Sequence, residues 1–240
     1  MRIAIVSDIH GNLTALEAVV ADLRRTLPDL VLHGGDIAHG GARPAEVVDC
    51  VRELGWPGVC GNTDEMLWEP EQLRQFAAQV PAFQYVFSAV EEMIPEVCAR
   101  LGEDRLRWMK TLPYAQHRGS LALVHASPGD LWRAPLPSST DSELNKVFGG
   151  LGAPVVVYAH IHTPYVREMA TMTVANTGSV SLSYDGDPRA SYVIVDDGKA
   201  AIRRVEYDLE SEVEALLRSG LPHAEWIAQT LRAAGFVPIT

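Results

Sequence analysis

The fold is decided by residues 3–12, which read IAIVSDIHGN. Four apolar residues are followed directly by polar ones, and the stretch from Asn12 to Arg25 then carries apolar side chains at helical spacing. We predict a short buried strand, a loop that presents Asp8 and His10, and a helix. Residues 30–32 and 44–54 repeat this order of strand and helix. Strands that alternate with helices predict a mainly parallel sheet with right-handed crossovers.

The rest of the chain divides into a helical stretch and a half that is rich in strands. Residues from about 65 to 118 predict a helical insertion that packs beside the sheet and forms a wall of a cleft. Residues 192–195 and 200–207 predict two strands joined by the hairpin turn Asp-Asp-Gly-Lys. Because a hairpin pairs its strands antiparallel, we expect two packed sheets. Helices are predicted at about 209–235, and residues 1–240 are expected to form one domain.

The composition limits the classes of partner. The chain has 240 residues, a formal net charge of −11 and no basic stripe, so it is a poor general binder of a nucleic acid backbone. There is no apolar run long enough to span a membrane. The first strand begins at Ile3, so no signal peptide precedes it and we expect a cytoplasmic protein. The three cysteines form no CxxC pair and are expected to be reduced thiols. The sequence leaves open whether the protein forms a homo-oligomer.

Five short polar clusters each follow the end of a predicted strand. They are Asp8-Ile9-His10, Gly35-Asp36, Gly61-Asn62-Thr63-Asp64, His125 and His160-Ile161-His162. Ligands of open α/β sheets collect at the carboxyl ends of strands, so we expect the five clusters to meet. Alternate residues of an extended segment share a side, which predicts that Asp8 and His10 face one ion together.

The donor types in these clusters indicate a particular kind of metal site. The candidate ligands are carboxylates, one amide and four imidazoles, and none is a thiolate. Such donors suit Mn, Fe, Zn or Mg ions rather than a structural zinc site. Two such ions about 3.5–4 Å apart form a clamp for in-line displacement at phosphorus. The candidate metal ligands are Asp8, His10, Asp36, Asn62, His125, His160 and His162.

The five clusters follow the order DxH, GD, GNxD, H, HxH, which resembles the calcineurin-like metallophosphoesterase superfamily. A later part of the chain, residues 176–180 and 185–190, resembles the compact prokaryotic subgroup of phosphoesterases and phosphodiesterases in that superfamily. The resemblance implies an α/β fold, a four-layer αββα sandwich of two packed mixed sheets flanked by helices. It also implies a dinuclear metal centre. The first ion would take Asp8, His10 and His162, the second would take Asn62, His125 and His160, and Asp36 would bridge both.

The implied function is a metal-dependent phosphoesterase, a hydrolase of phosphodiesters, phosphomonoesters or both. In that family a hydroxide that bridges the two divalent ions attacks phosphorus in line. Mn is the ion that we expect to support activity in vitro. The expected partner is a small phosphoester substrate, and neither a membrane nor a nucleic acid polymer is expected. The alternatives are a non-catalytic metal-binding scaffold of the same fold and a Mn-dependent nuclease.

The sequence departs from the family pattern at Thr63. Many members carry a histidine there, which is thought to stabilise the transition state or to protonate the leaving group, and a substrate with an alkoxide leaving group would suffer most from its loss. His33, His39 and His117 are spare histidines that could replace it, or are exposed or supporting side chains. The change favours activated diesters or cyclic nucleotides. Phosphomonoesters, phosphoproteins and dinucleotide polyphosphates stay open as substrates.

Three further residues have two interpretations each. Asp64 either holds a ligand imidazole in one tautomer or caps a helix. Arg189 either clamps a substrate phosphate or pairs with Asp185 or Asp187. Asn12 either caps the first helix or faces the cleft. Asp36, Asn62, Thr63, Asp64 and Arg189 together are the predicted catalytic residues.

Overall fold

The computed structural model describes residues 1–239. Its strands and helices alternate in the first third of the chain, as the sequence predicts, and strands dominate the second half. The elements are β1 Arg2–Val6, α1 Leu13–Thr26, β2 Leu30–His33, α2 Pro44–Glu53, α3 Asn62–Glu65, α4 Pro70–Ala77, α5 Gln84–Met109, β3 Ala115–Arg118, β4 Leu121–Val124, α6 Asp141–Phe148, β5 Val155–Tyr158, β6 Tyr165–Glu168, β7 Thr173–Asn176, β8 Ala190–Asp196, β9 Lys199–Val205, α7 Leu209–Arg218 and α8 Ala224–Ala233.

The strands form two mixed sheets. The first has the order β2-β1-β8-β9, and the second has the order β3-β4-β5-β7-β6. In the first sheet β1 pairs parallel with β2 but antiparallel with β8. In the second sheet β4, β5 and β7 run parallel, and β3 and β6 close the edges antiparallel. The mainly parallel sheet predicted from the first strands is therefore confined to the β1–β2 pair and to the centre of the second sheet.

The two sheets pack face to face. Ile3 and Ile5 of β1 lie in one apolar cluster with Leu121 and Leu123 of β4. Ala4 and the other outward-facing residues of β1 pack against helices instead, because successive residues of a strand point to opposite faces. On the outer face of the second sheet, α6 contributes Leu144 and Phe148 to a separate cluster. The layers are therefore helix, sheet, sheet and helix, as the family resemblance implies.

Some element predictions need correction. The expected helical insertion ends before residue 118, because Ala115–Arg118 is a strand that pairs with β4. The helix α6 and the strand β6 were not predicted. Strand β6 is an edge strand whose residues are half-buried or exposed, so its apolar signal is weak. Of the two interpretations of Asn12, the structure shows the helix cap: the N–H of Ala15 in α1 donates to the Asn12 side chain at 2.9 Å.

Several chain segments that carry polar residues meet at one edge of the two sheets. Four of these segments follow strands β1, β2, β4 and β5, and the fifth is the beginning of α3. Since β1 and β2 belong to one sheet and β4 and β5 to the other, both sheets contribute residues to one site. Among residues 1–239, no helix is both long enough and apolar enough to cross a membrane.

Candidate metal centre

Four side chains from the two sheets converge as one group of metal-binding donors. One ligand atom from each of Asp8, His10, Asp36 and His162 lies within 4.8 Å of the others, and all four residues are buried. The Nε2 of His162 lies 3.1 Å from Oδ1 of Asp8 and 3.2 Å from Nε2 of His10. Two imidazole nitrogens and two carboxylates directed at one point form a donor set for a divalent cation.

A second set of donors lies beside the first. Oδ1 of Asn62 is 2.8 Å from Nε2 of His125 and 2.9 Å from Nδ1 of His160. Oδ2 of Asp36 is 3.5 Å from Nε2 of His125 and 3.8 Å from Nε2 of His10. The Asp36 carboxylate thus lies between the two sets. All seven candidate ligands predicted from the sequence are brought together.

Backbone carbonyls fix the orientation of three of the four imidazoles. The Nδ1 atoms of His10, His125 and His162 lie 2.7, 2.7 and 2.6 Å from the carbonyl oxygens of His39, Gly34 and Leu182. A carbonyl can only accept, so each Nδ1 carries the proton and each Nε2 keeps its lone pair for the centre. These three carbonyls could not be predicted, because main-chain acceptors leave no signature in the side-chain sequence.

The electrostatics of the centre favour the metal-binding forms of Asp8, His10 and His160, whereas those of His162 favour its protonated form. Burial lowers the pKa of His160 to about 4 and also lowers the pKa of His10. For His162 burial works in the same direction, but the neighbouring Asp8 carboxylate outweighs it and raises the pKa. Burial opposes the ionised form of Asp8, and the imidazole of His162 more than reverses this, so the pKa of Asp8 is low. Metal binding requires neutral imidazoles and ionised carboxylates.

The ligand loops adopt a backbone conformation that L-residues rarely use. The φ angles of Asp8, His10, Asp36, His160 and His162 are 53°, 49°, 54°, 69° and 54°. A left-handed conformation costs about 1–2 kcal/mol per residue outside glycine. Hydrogen bonds between the loops hold it, including those from the N–H of Asp8 to Gly35 and from the N–H of His10 to Asp36. Asp8 and His10 were predicted to lie on one side because their segment is extended. They do lie in one donor group, but their backbone is left-handed and not extended.

Comparison with known proteins agrees with this arrangement. The family model described as calcineurin-like phosphoesterase superfamily domain matches residues 1–199. The chain belongs to the calcineurin-like phosphoesterase superfamily. An uncharacterized protein of Methanocaldococcus jannaschii is 29% identical over 252 residues, covering 95% of this chain and 96% of that protein.

Two solved structures share the architecture over nearly the whole chain. A metallophosphoesterase from Sphaerobacter thermophilus has 28% identity and a TM-score of 0.77, covering 98% of this chain and 100% of that one. A hypothetical protein from Pyrococcus horikoshii OT3 has 17% identity and a TM-score of 0.84, covering 98% and 99%. The second similarity concerns the fold alone. Both show that the sandwich of this phosphoesterase is an established architecture.

Asp64 does not orient an imidazole. Its carboxylate oxygens accept the backbone N–H groups of Asp36, Ile37 and Gly61 at 2.9, 2.9 and 3.0 Å. Burial, and then the Asp36 carboxylate, raise the pKa of Asp64 to about 6. A bound cation acts in the opposite direction and favours the ionised form. Asp64 therefore ties the Asp36 loop to the first turn of α3.

Glycines allow this close approach. A Cβ at Gly61 would lie 2.1 Å from Oδ1 of Asp36, and a Cβ at Gly35 would lie 2.5 Å from the backbone nitrogen of Gly61. Gly35 also has a φ of 88°. Side chains at either position would displace Asp36 from its place between the two ligand sets.

Thr63 borders the centre, and Arg189 does not. The backbone N–H of Thr63 donates to Oδ1 of Asp36 at 2.9 Å, and the residue lines the cavity over the centre. The guanidinium of Arg189 pairs with Asp187, with Nη2 and Oδ2 2.7 Å apart, and Arg189 does not line that cavity. The structure shows the ion pair of Arg189 with Asp187 and gives no support to a phosphate clamp, which stays an untested prediction.

The spare histidines are poor general acids for the centre. Burial lowers the pKa of both His33 and His39 to about 4, so neither is an imidazolium at neutral pH, although His39 lines the cavity over the centre. The Nε2 of His39 is also hydrogen-bonded to the carbonyl of Val90 at 3.0 Å. His117 is exposed on β3. The structure thus supplies no imidazole, in residues 1–239, for the role that the family histidine has.

Proposed function

We propose that this protein hydrolyses phosphoesters with two divalent metal ions. One observation carries the proposal: the two donor sets converge on Asp36, whose carboxylate lies within 4 Å of an imidazole nitrogen from each set. Asp8, His10 and His162 would hold one ion, Asn62, His125 and His160 the other, and Asp36 both.

The donor chemistry fits such ions. The donors are oxygen and imidazole atoms, and three imidazoles present an unprotonated Nε2 because their Nδ1 atoms donate to carbonyls. When bound, two divalent ions supply Lewis acidity and lower the pKa of bound water. Two divalent ions exceed the charge of the carboxylates Asp8 and Asp36, so the otherwise acidic chain presents a positive site to a phosphate.

The residues of the chain contribute orientation of the ligands. Asp64 and Gly61 fix the loop of Asp36, and the backbone N–H of Thr63 holds one Asp36 oxygen. No histidine is placed to protonate a leaving group in the described part of the chain. This supports a preference for phosphodiesters or other esters with leaving groups of low pKa, which need no general acid.

The alternatives receive less support. A non-catalytic scaffold has no need for seven ligands, nor for three imidazoles whose tautomers are fixed by carbonyls. A nuclease needs a cationic groove that follows the phosphate backbone, and no lysine or arginine lines the cavity over the centre in residues 1–239. The cytoplasmic location and the oligomeric state stay predictions.

The test uses metal-stripped protein reloaded with Mn. Turnover of bis-p-nitrophenyl phosphate and p-nitrophenyl phosphate should appear on reloading, and the diester should react faster. Asp36→Asn should abolish turnover and release bound metal, whereas Asp104→Asn, at an exposed ion pair with Arg52, should behave as the unchanged protein. Two bound Mn ions without turnover of either ester would favour the scaffold instead.

A further inference from the structure

The cavity over the metal centre has apolar walls. It has a volume of about 300 Å³, and its floor includes His10, Asp36 and His160. Helix α5 lines it with Phe87 and Val90, and helix α8 lines it with Trp226 and Ile227. Phe76 and Trp132 complete an aromatic side, with ring centroids 5.4 Å apart. A group that extends from the reacting phosphorus therefore meets hydrocarbon and ring faces.

The walls carry no positive charge. No lysine or arginine is among the lining residues of this cavity in residues 1–239, and Asp36 is its only carboxylate there. Arg133 lines an adjoining cavity of about 420 Å³, which shares Phe76 and Trp132 with the first. Its guanidinium is paired with Oδ2 of Asp130 at 2.9 Å. A second phosphate on the substrate would thus lie against apolar walls without a counter-charge, which is unfavourable.

The size of the cavity restricts the ester further. Ligand cavities in proteins span roughly 300–1,000 Å³, so this one is at the small end. The same space must also receive the ions and the phosphoryl group. The remaining space suits one ring system rather than a dinucleotide or a peptide.

One wall residue carries an unpaired donor. Trp132 is only 9% exposed, and its indole Nε1 is buried without a hydrogen-bond partner within residues 1–239. Buried N–H groups are almost always paired, so the unpaired indole N–H of a residue that lines the cavity would gain from an acceptor on a ligand. The nitrogen itself is covered, so the indole ring must turn for the acceptor to reach it. The hydroxyl of Thr63 in the same cavity is likewise buried and without a partner in the described residues.

We infer that the substrate is a small phosphoester that carries one phosphoryl group and one uncharged aromatic or heteroaromatic ring with a hydrogen-bond acceptor. This inference rests on the proposed function and narrows its substrate class. The ring binds between α5, α8 and the Phe76–Trp132 pair, and the indole N–H of Trp132 donates to the acceptor. Polyphosphates, phosphoproteins and nucleic acid polymers are excluded by the uncharged walls and the size of the cavity.

Binding of phosphonates to the Mn-loaded protein tests this inference without turnover. Phenylphosphonate should bind at least about 10-fold more tightly than methylphosphonate, and a negative charge on the ring, as in 4-sulfophenylphosphonate, should weaken binding relative to phenylphosphonate. Titration calorimetry measures all three. Phe87→Ala should reduce the preference for phenyl over methyl at least about 3-fold. Tyr85→Ala removes an exposed ring from the same helix outside the cavity and should leave the preference unchanged. If Phe87→Ala does not fold, Phe87→Leu replaces it, and the comparison of ligands on the unchanged protein stands by itself.

Trp132→Phe tests the donor. In the unchanged protein 4-acetylphenylphosphonate should bind about 3- to 10-fold more tightly than phenylphosphonate, and Trp132→Phe should remove this difference. Equal binding of phenylphosphonate and methylphosphonate, or tighter binding of 4-sulfophenylphosphonate than of phenylphosphonate, would overturn the inference while metal-dependent turnover kept the proposed function. Tight binding of phenylphosphonate without turnover of any ester would contradict the proposed function and keep the aromatic binding site.

Discussion

The carboxylate of Asp64 accepts the backbone N–H of Asp36 at 2.9 Å, so one buried acid holds the peptide that presents another. Asp64→Asn keeps the size but leaves at least one of the three backbone N–H groups without an acceptor. We expect metal affinity and kcat/KM to fall about 10- to 100-fold, in line with other residues that support metal ligands. Calorimetric Mn titration and turnover of bis-p-nitrophenyl phosphate measure both. Glu65→Gln is the control, since the neighbouring Glu65 bonds only the hydroxyl of Tyr114; an equal loss in both variants would contradict this role.

Restoring an imidazole at position 63 should change the range of leaving groups. Thr63 borders the cavity beside Asp36. The histidines that line this cavity in residues 1–239 are the candidate ligands His10, His160 and His162, and His39, whose Nε2 is bonded to the carbonyl of Val90. For Thr63→His we expect kcat on a cyclic nucleotide, whose leaving group is an alkoxide, to rise about 10-fold or more. Turnover of bis-p-nitrophenyl phosphate should change less than about 2-fold. Thr63→Val, which removes only the hydroxyl, should raise neither rate. A uniform change on both substrates would argue against a missing general acid.

Arg189→Ala should leave catalysis intact. The Arg189 guanidinium is half exposed and occupied by Asp187, away from the cavity. We expect kcat/KM within about 2-fold of the unchanged protein and almost no change in the urea midpoint of unfolding, as is usual for exposed ion pairs. Steady-state kinetics and urea unfolding measure these. Substrate binding that weakened about 10-fold or more in this variant would reinstate Arg189 as a phosphate-binding residue.

Removal of metal should lower stability as well as activity. Five of the ligands hold left-handed backbone conformations, and buried carboxylates lie beside one another without a counter-charge when no ion is bound. An ion that binds only the folded protein stabilises it by about 2.7 kcal/mol at a concentration 100 times its Kd. We expect chelation to lower Tm by several degrees and Mn to restore it in a concentration-dependent way, measured by calorimetry. The Asp36→Asn variant should show a much smaller shift.

Asp22 gives a prediction about pH that is independent of the metal centre. Burial raises its pKa, but hydrogen bonds from Tyr192, Arg25 and Arg203 outweigh this and lower it overall. A carboxylate whose pKa is lower in the folded protein stabilises the fold at pH values above its unfolded pKa of about 3.9. This stabilisation is lost as the pH falls through the folded-state pKa. Asp22→Asn should therefore cost about 1–3 kcal/mol in the free energy of unfolding at pH 7.

The difference between Asp22→Asn and the unchanged protein should hold above about pH 5 and shrink below about pH 4, where the carboxyl becomes neutral in both folded and unfolded protein. Urea unfolding across this range measures it. Glu17→Gln, exposed on the same helix, should show no such difference. A difference that grew toward low pH would have the wrong sign for this explanation.

The sequence predicted the centre better than its surroundings. The residues Asp8, Asp36 and His125 follow clear apolar strands, so the topology alone places them at one edge. The orienting carbonyls and the role of Asp64 escaped prediction, because main-chain partners depend on loop conformation. The helical insertion was predicted to form a wall of a cleft, but the sequence did not single out Phe76 and Phe87 as the residues of that wall. Their contribution to the cavity required the packing of α4 and α5 beside the centre, since helical periodicity shows that a face is buried but not against what.

The origin of the cavity walls bears on how this family diversifies. The ions would be held by short loops at the ends of strands, whereas the walls come chiefly from α5 and α8, more than a hundred residues apart in the chain. Neither helix carries a candidate ligand. Mutations in these two helices can therefore change which ester is accepted while the hydrolytic apparatus is inherited unaltered, so relatives with the same ligand signature need not share a substrate.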